Sequence, residues 1–186
     1  VPTIWMGLIQ TYEASQHSQP SRWKLPAGMR SLVGGAAVPE SLIRAFEKHG
    51  IWIMQGWGMT ETSPLCTVSY KTFEAAHATP DETYRRAALA GMPVPLVDLR
   101  IRGDDGADAL WNGEQVGEIQ VRGPFITGSY HQVPVQEDKF TQDGWLRTGD
   151  VASVDASGFV RITDRTKDIP PPHIELFVDR HCCCMK

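Results

Sequence analysis

The sequence predicts an α/β fold in which a parallel βαβ layer is followed by a small antiparallel, β-rich lobe. Three observations predict it. An apolar run, Ser31-Leu32-Val33, stops at Gly34-Gly35 and is followed by residues of helical period and then by a second apolar run ending at Gln55. Past the midpoint the texture changes to short alternating runs separated by turn residues. A composition that is 41% hydrophobic and 22% charged, with a mean hydropathy of -0.26, is that of a globular chain, and 186 residues are about one domain's worth.

The elements follow in order. Pro39 to Gly50 carries the helical period, with Leu42, Ile43 and Phe46 on one apolar stripe. Pro39 suits the first turn, Glu40 complements the positive end of the helix dipole, and Gly50 supplies the stop. Ile51-Trp52-Ile53-Met54-Gln55 then reads as a buried strand. Strand, glycine turn, helix and strand form a βαβ unit, which implies a parallel sheet covered by helices. The polar segment from Thr72 to Arg86 is expected to be a surface helix and loop. Leu99 to Arg102 leads into the turn Gly103-Asp104-Asp105-Gly106, and Gly117 to Gly123 and Gly158 to Thr163 alternate in the same way. These three are expected to be antiparallel strands with one wet face. The expected organisation is an α/β part over residues 1–95, a β-rich lobe of the same domain over 96–168, and an atypical tail over 169–186. No internal repeat or low-complexity tract interrupts it.

Charge and composition exclude several classes. Eighteen Lys and Arg against 22 Asp and Glu give a net charge of -4, and the scattered basic residues offer no footprint for a nucleic-acid backbone. No apolar stretch is long enough to cross a bilayer, and the start has no basic region followed by a hydrophobic block, so a cytoplasmic location is expected. The chain begins without Met and directly in an apolar run, the expectation being that it is cut from something longer. Cys66 alone and Cys182-Cys183-Cys184 in a row match neither a disulfide framework nor paired zinc-ligand spacing. His17, His49, His77 and His131 fall inside no motif with a base's geometry.

Four segments carry chemistry. Gln55 to Pro64 follows the buried strand, where open α/β sheets place ligands. There Gly56 and Gly58 let the backbone turn around Trp57, whose ring can stack on a planar heterocycle, while Thr60 can donate to a phosphate oxygen and Glu61 can hold a hard cation. A strand-ending turn with a core Trp and a helix-capping Thr-Glu pair accounts for the same residues. Gly34-Gly35-Ala36-Ala37 admits either an anion or flat ligand against bare backbone, or a simple tight turn. Asp150, after Thr148-Gly149 at what reads as a strand end, can accept from the vicinal hydroxyls of a ribose. Asp164-Arg165-Thr166-Lys167-Asp168 gathers four charges after a strand; for it and for Asp150, a solvated, salt-bridged turn is the alternative reading.

In order and spacing, these blocks, with Gly117 to Gly123 running on to Gly128-Ser129-Tyr130, resemble the adenylate-forming (AMP-binding) superfamily, and within it the fatty acyl-CoA synthetases, from Val1 to Asp168. The resemblance implies part of that family's large domain and a two-step reaction: a fatty acid carboxylate attacks the α-phosphate of ATP to give an acyl-adenylate and pyrophosphate, and coenzyme A then takes the acyl group. It implies that Trp57, flanked by Gly56, Gly58 and Met59, lies beside adenine, and that Gly34, Gly35 and Ala36 form a backbone wall against adenine and the acyl group. Thr60 would contact phosphate, Glu61 would be the magnesium (Mg2+) ligand, Asp150 with Arg165 would bind the ribose, and Lys167 would be the hinge of a rotating C-terminal domain. Aryl acids remain as alternative substrates.

Departures from the pattern set further expectations. Residues 1–33 hold no Ser/Thr/Gly-rich phosphate loop, and the C-terminal domain with its lysine is expected to be missing. After Asp168, Pro170-Pro171-Pro172 replaces a strand, since three prolines supply no ladder N–H groups; foreign, out-of-frame sequence after a truncated gene is the expectation. Turnover by these residues alone is expected to be negligible. The alternative is a non-catalytic module that holds nucleotide or docks on another chain through exposed strand edges.

Overall fold

A mixed sheet with helices against it and a second, wholly antiparallel sheet share one seam in the computed structural model, which describes residues 1–19, 23–72, 78–132, 134 and 138–165. Lys167 and the tail beyond it lie outside the described residues, as do the side chains of Asp164 and Arg165.

The βαβ unit forms as its sequence requires. Strand β1 (Arg30–Val33) pairs in parallel with β2 (Trp52–Trp57), and helix α2 (Glu40–Glu47) crosses between them. Pro39 is the N-cap, its carbonyl accepting from the N–H of Leu42 and Ile43, and Gly50 closes the helix at φ +74. Leu42, Ile43 and Phe46 are buried against Val33, Ile51 and Ile53. Phe46 has no exposed surface and also meets the Trp5 ring edge-on at 5.5 Å. Phe46→Ala is therefore expected to destabilise the fold by about 4 kcal/mol, the cost typical of a buried aromatic replaced by a cavity; urea unfolding measures it, and a loss under about 1 kcal/mol would place the core elsewhere.

Helix α1 (Pro2–Ser18) is not read from the sequence. Trp5, Ile9 and Tyr12 do recur at helical spacing and face the core, but Ile4, Met6 and Leu8 are exposed at 71%, 43% and 41%, which spreads apolar residues around the helix and erases the stripe. The first sheet also differs from a purely parallel one. Strand β2 runs on through Gly56 and Trp57, two residues past the expected end, because β3 (Thr67–Val68) folds back beside them and supplies ladder partners. Strand β4 (Met92–Pro93) pairs antiparallel with β3, giving the order β1-β2-β3-β4 with β1 at the edge. The expected surface helix is α3 (Pro80–Ala87), capped by Thr79 and Glu82 in reciprocal hydrogen bonds.

The second sheet has the order β5 (Asp98–Arg102), β6 (Gly117–Arg122), β7 (Leu146–Val154), β8 (Val160–Arg165), antiparallel throughout. Its inward residues, among them Ile101, Ile119, Val121, Leu146 and Val160, pack in one cluster with Cys66 and Ala90 of the first half. Two backbone bonds fasten the seam: Ala90 N–H to the Val160 carbonyl at 3.0 Å and Val160 N–H to the Gly91 carbonyl at 2.8 Å. Among the described residues no helix is long and apolar enough to cross a membrane.

Candidate nucleotide site

A cavity of about 400 Å³ opens where β2 leaves the first sheet and the second sheet begins, within the range of ~300–1,000 Å³ usual for small-molecule sites. One wall is Gly35-Ala36-Ala37, the floor is Gln55 to Gly58, and Ala88 to Ala90 and residues of β7 and β8 complete it. Each wall has a local cause. Gly35 takes φ +82, a left-handed turn that leaves bare backbone facing the opening. A Cβ on Gly58 would lie 2.0 Å from the Pro64 carbonyl oxygen, so only glycine lets the chain double back behind Trp57. Gln55 is buried, and its Oε1 accepts from the Val38 N–H at 2.9 Å, tying β2 to the approach to α2.

Trp57 and Asp150 meet across the cavity. The indole Nε1–H donates to Asp150 Oδ2 at 2.8 Å although the two stand 93 residues apart in the chain. Asp150 is not at a strand end as its neighbours imply; it sits inside β7, opposite Arg165 on β8. Gly149 at φ +75, and a register shift between Val151 and Ala152, deform the ladder there, and Thr148 Oγ1 accepts the Asp150 N–H at 3.1 Å. The carboxylate is thus carried by a bulged strand rather than a loop. A neutral N–H donor does not cancel the charge of the carboxylate to which it bonds.

Of the residues singled out from sequence, Gly35, Ala36, Gly56, Trp57, Gly58 and Asp150 line this one cavity. Gly34 does not line it but backs onto the floor, where its added Cβ would lie 3.0 Å from the Gly56 carbonyl. Met59 packs into the second sheet's core, and Thr60 and Glu61 stand outside the lining on a 3-10 turn, Thr60–Thr62. The cap of that turn is Thr62, whose Oγ1 accepts from Met59 N–H at 2.9 Å, not a Thr60–Glu61 pair. Glu61 Oε1 accepts the Tyr130 hydroxyl at 2.7 Å, and that bond raises the Tyr130 pKa above its usual range. Sequence reading assigned no role to Gln55, to the small residues Ala88 and Ala90, or to Arg161 and Thr163 at the cavity; the alternation of Arg161, Ile162 and Thr163 was the available signal, whereas alanines carry none.

Mg2+ is held by one or two carboxylates with substrate phosphates filling the shell. The Glu61 carboxylate fits that donor set, and among the described residues no cluster of three or more His, Cys, Asp or Glu forms an all-protein site. Cys66 offers no nucleophile: burial pushes its thiol up to about 11 against a weaker opposing bond from Thr62.

Comparison with known proteins gives three findings. Residues 1–131 match the family model described as AMP-binding enzyme. The chain is 38% identical to a long-chain-fatty-acid–CoA ligase of Thermus thermophilus over 91% of its own length and 30% of that protein's, and 39% identical, with the same coverage, to a 3-methylmercaptopropionyl-CoA ligase of Ruegeria lacuscaerulensis. It superposes with a TM-score of 0.70 and 27% identity on O-succinylbenzoate coenzyme A synthetase from Bacillus subtilis in complex with ATP and magnesium, covering 93% of this chain and 32% of that one. The chain therefore spans about 30% of the length of the curated relatives it matches.

Proposed function

The chain belongs to the AMP-binding enzyme family, and on that premise we propose that it supplies the adenosine-binding part of an ATP-dependent acid–CoA ligase. The observation that carries this reading is the meeting of Trp57 and Asp150, one from each sheet, in a cavity whose facing wall is Gly35-Ala36. The indole offers a flat plate to a purine, the glycine and alanine let that purine lie against backbone, and the Asp150 carboxylate accepts from a ribose hydroxyl, with Arg165 assisting. Gly56 and Gly58 flank the plate on the cavity floor, and Gly34 and Met59 support it from behind. Thr60 contacts a phosphate, Glu61 holds magnesium, and Lys167 is the hinge.

The reaction is attack of a carboxylate on the α-phosphate with loss of pyrophosphate, then transfer of the acyl group to the thiol of coenzyme A. Magnesium, when bound, supplies positive charge beside the phosphates. The wording Trp57-Gly58-Met59-Thr60-Glu61-Thr62-Ser63-Pro64 favours fatty acids of medium or long chain over aryl acids.

AMP, ATP or an acyl-adenylate analogue is expected to raise the melting temperature by about 5 °C or more, since ligand at a hundredfold excess over Kd adds about 2.7 kcal/mol and each kcal/mol shifts a domain of this size by about 2–4 °C. No shift with any of the three defeats the nucleotide reading. The same 186 residues by themselves are expected to release no pyrophosphate from ATP and a fatty acid, and steady turnover would overturn that expectation.

A second reading, an interaction module, draws on a different observation. Strand β1 is a sheet edge with Leu32 48% exposed, and Ile4 and Leu8 are exposed on α1. Association that grows with concentration and needs no nucleotide, seen by sedimentation, would favour this reading.

A further inference from the structure

The connection between β6 and β7 reaches back to the 3-10 turn at two points. The Tyr130 hydroxyl donates to Glu61 Oε1 at 2.7 Å, and the Thr127 N–H donates to the Glu61 backbone carbonyl at 2.8 Å. The Tyr130 ring stands edge-on to Phe140, centroids 6.1 Å apart, so the phenol itself is braced. Glu61 is otherwise a flexible side chain on a three-residue turn, and one hydrogen bond at its tip selects one arrangement of its carboxylate.

The identity of the donor matters. A Lys or Arg in this place would cancel the carboxylate charge and compete with a cation for it, whereas a neutral phenol occupies one oxygen and preserves the charge. Resting on the proposed role of Glu61 as the magnesium ligand, the geometry points to Tyr130 as a positioning residue for metal–nucleotide binding: its hydroxyl fixes the Glu61 carboxylate by one oxygen and leaves the other for the cation. The residue lies on the second sheet's side of the molecule, so the turn that carries Glu61 is set by both halves of the fold.

Tyr130→Phe removes the hydroxyl and keeps the ring on Phe140, and calorimetric titration of the whole chain separates the roles. AMP in the presence of EDTA is expected to bind wild type and variant equally, while ATP with saturating Mg2+ binds the variant about tenfold to a hundredfold more weakly, the range for a lost hydrogen bond to a charged group. Glu61→Gln is expected to lose the magnesium-dependent gain altogether, with no further loss when Tyr130→Phe is added. Equal Mg2+·ATP affinity in wild type and Tyr130→Phe overturns the role of Tyr130 alone. Parallel weakening of AMP and Mg2+·ATP also overturns it, because a brace for the fold as a whole acts on both ligands. A wild type that binds AMP with no gain for Mg2+·ATP removes the role of Glu61 and with it that of Tyr130, and a wild type that binds no AMP removes the nucleotide site itself.

Discussion

Trp57→Ala is expected to weaken AMP binding about 100-fold. Stacking of a base on an aromatic side chain is worth ~1–3 kcal/mol, and the indole also donates to Asp150 at 2.8 Å, a bond made before nucleotide arrives that holds the ring and the carboxylate in register. Loss of the plate together with the order that it imposes on Asp150 is expected to cost about 3 kcal/mol, the upper end of the stacking range, and ~1.4 kcal/mol is a factor of ten. Trp57→Phe divides the two contributions. It keeps a plate and removes the N–H, so a loss of about tenfold is expected, with the remainder appearing only on truncation to alanine. Calorimetry on both variants measures this, and an alanine variant that binds AMP as tightly as wild type eliminates the stacking plate.

Gly91→Ala is expected to cost the fold about 3 kcal/mol or more. Gly91 adopts φ +92, and a Cβ there would lie 2.0 Å from the Val68 carbonyl carbon and 2.2 Å from the Ser69 nitrogen. These are backbone atoms of the neighbouring strand, which cannot swing aside as a side-chain tip can. Relief requires the chain to withdraw from the seam where Gly91 accepts from Val160, and with it goes the contact between the sheets. Gly106→Ala is the control: it too has positive φ, at +76, but nothing lies within 4 Å of the added Cβ, so only the conformational cost of about 1 kcal/mol is expected. Urea unfolding of the pair separates strain from collision. Similar losses for the two would mean that the seam yields without cost.

The βαβ unit was legible because its signals are local: Gly34-Gly35, Pro39 and Gly50 punctuate it, and Leu42, Ile43 and Phe46 form a stripe without interruption. Helix α1 was not, because Ile4 and Leu8 face outward and blur a stripe that Trp5, Ile9 and Tyr12 do form. In the site, Trp57 and Asp150 could be picked out by residue type, but that they touch could not, since no local pattern encodes a bond across 93 positions. Reading Asp150 as a strand end failed for a related reason: Thr148-Gly149 resembles a turn, and only pairing with β6 and β8 keeps it in a strand. Ala88 and Ala90 were invisible because their contribution is the absence of bulk.

Each sheet's neighbouring strands are for the most part consecutive in sequence, so each half can assemble from short-range encounters, whereas the bonds between Ala90, Gly91 and Val160 close a long loop. The cavity is therefore expected to complete itself last, after both halves have ordered. A nucleotide bound there is expected to slow the opening of the finished molecule and to leave the speed of its assembly unchanged.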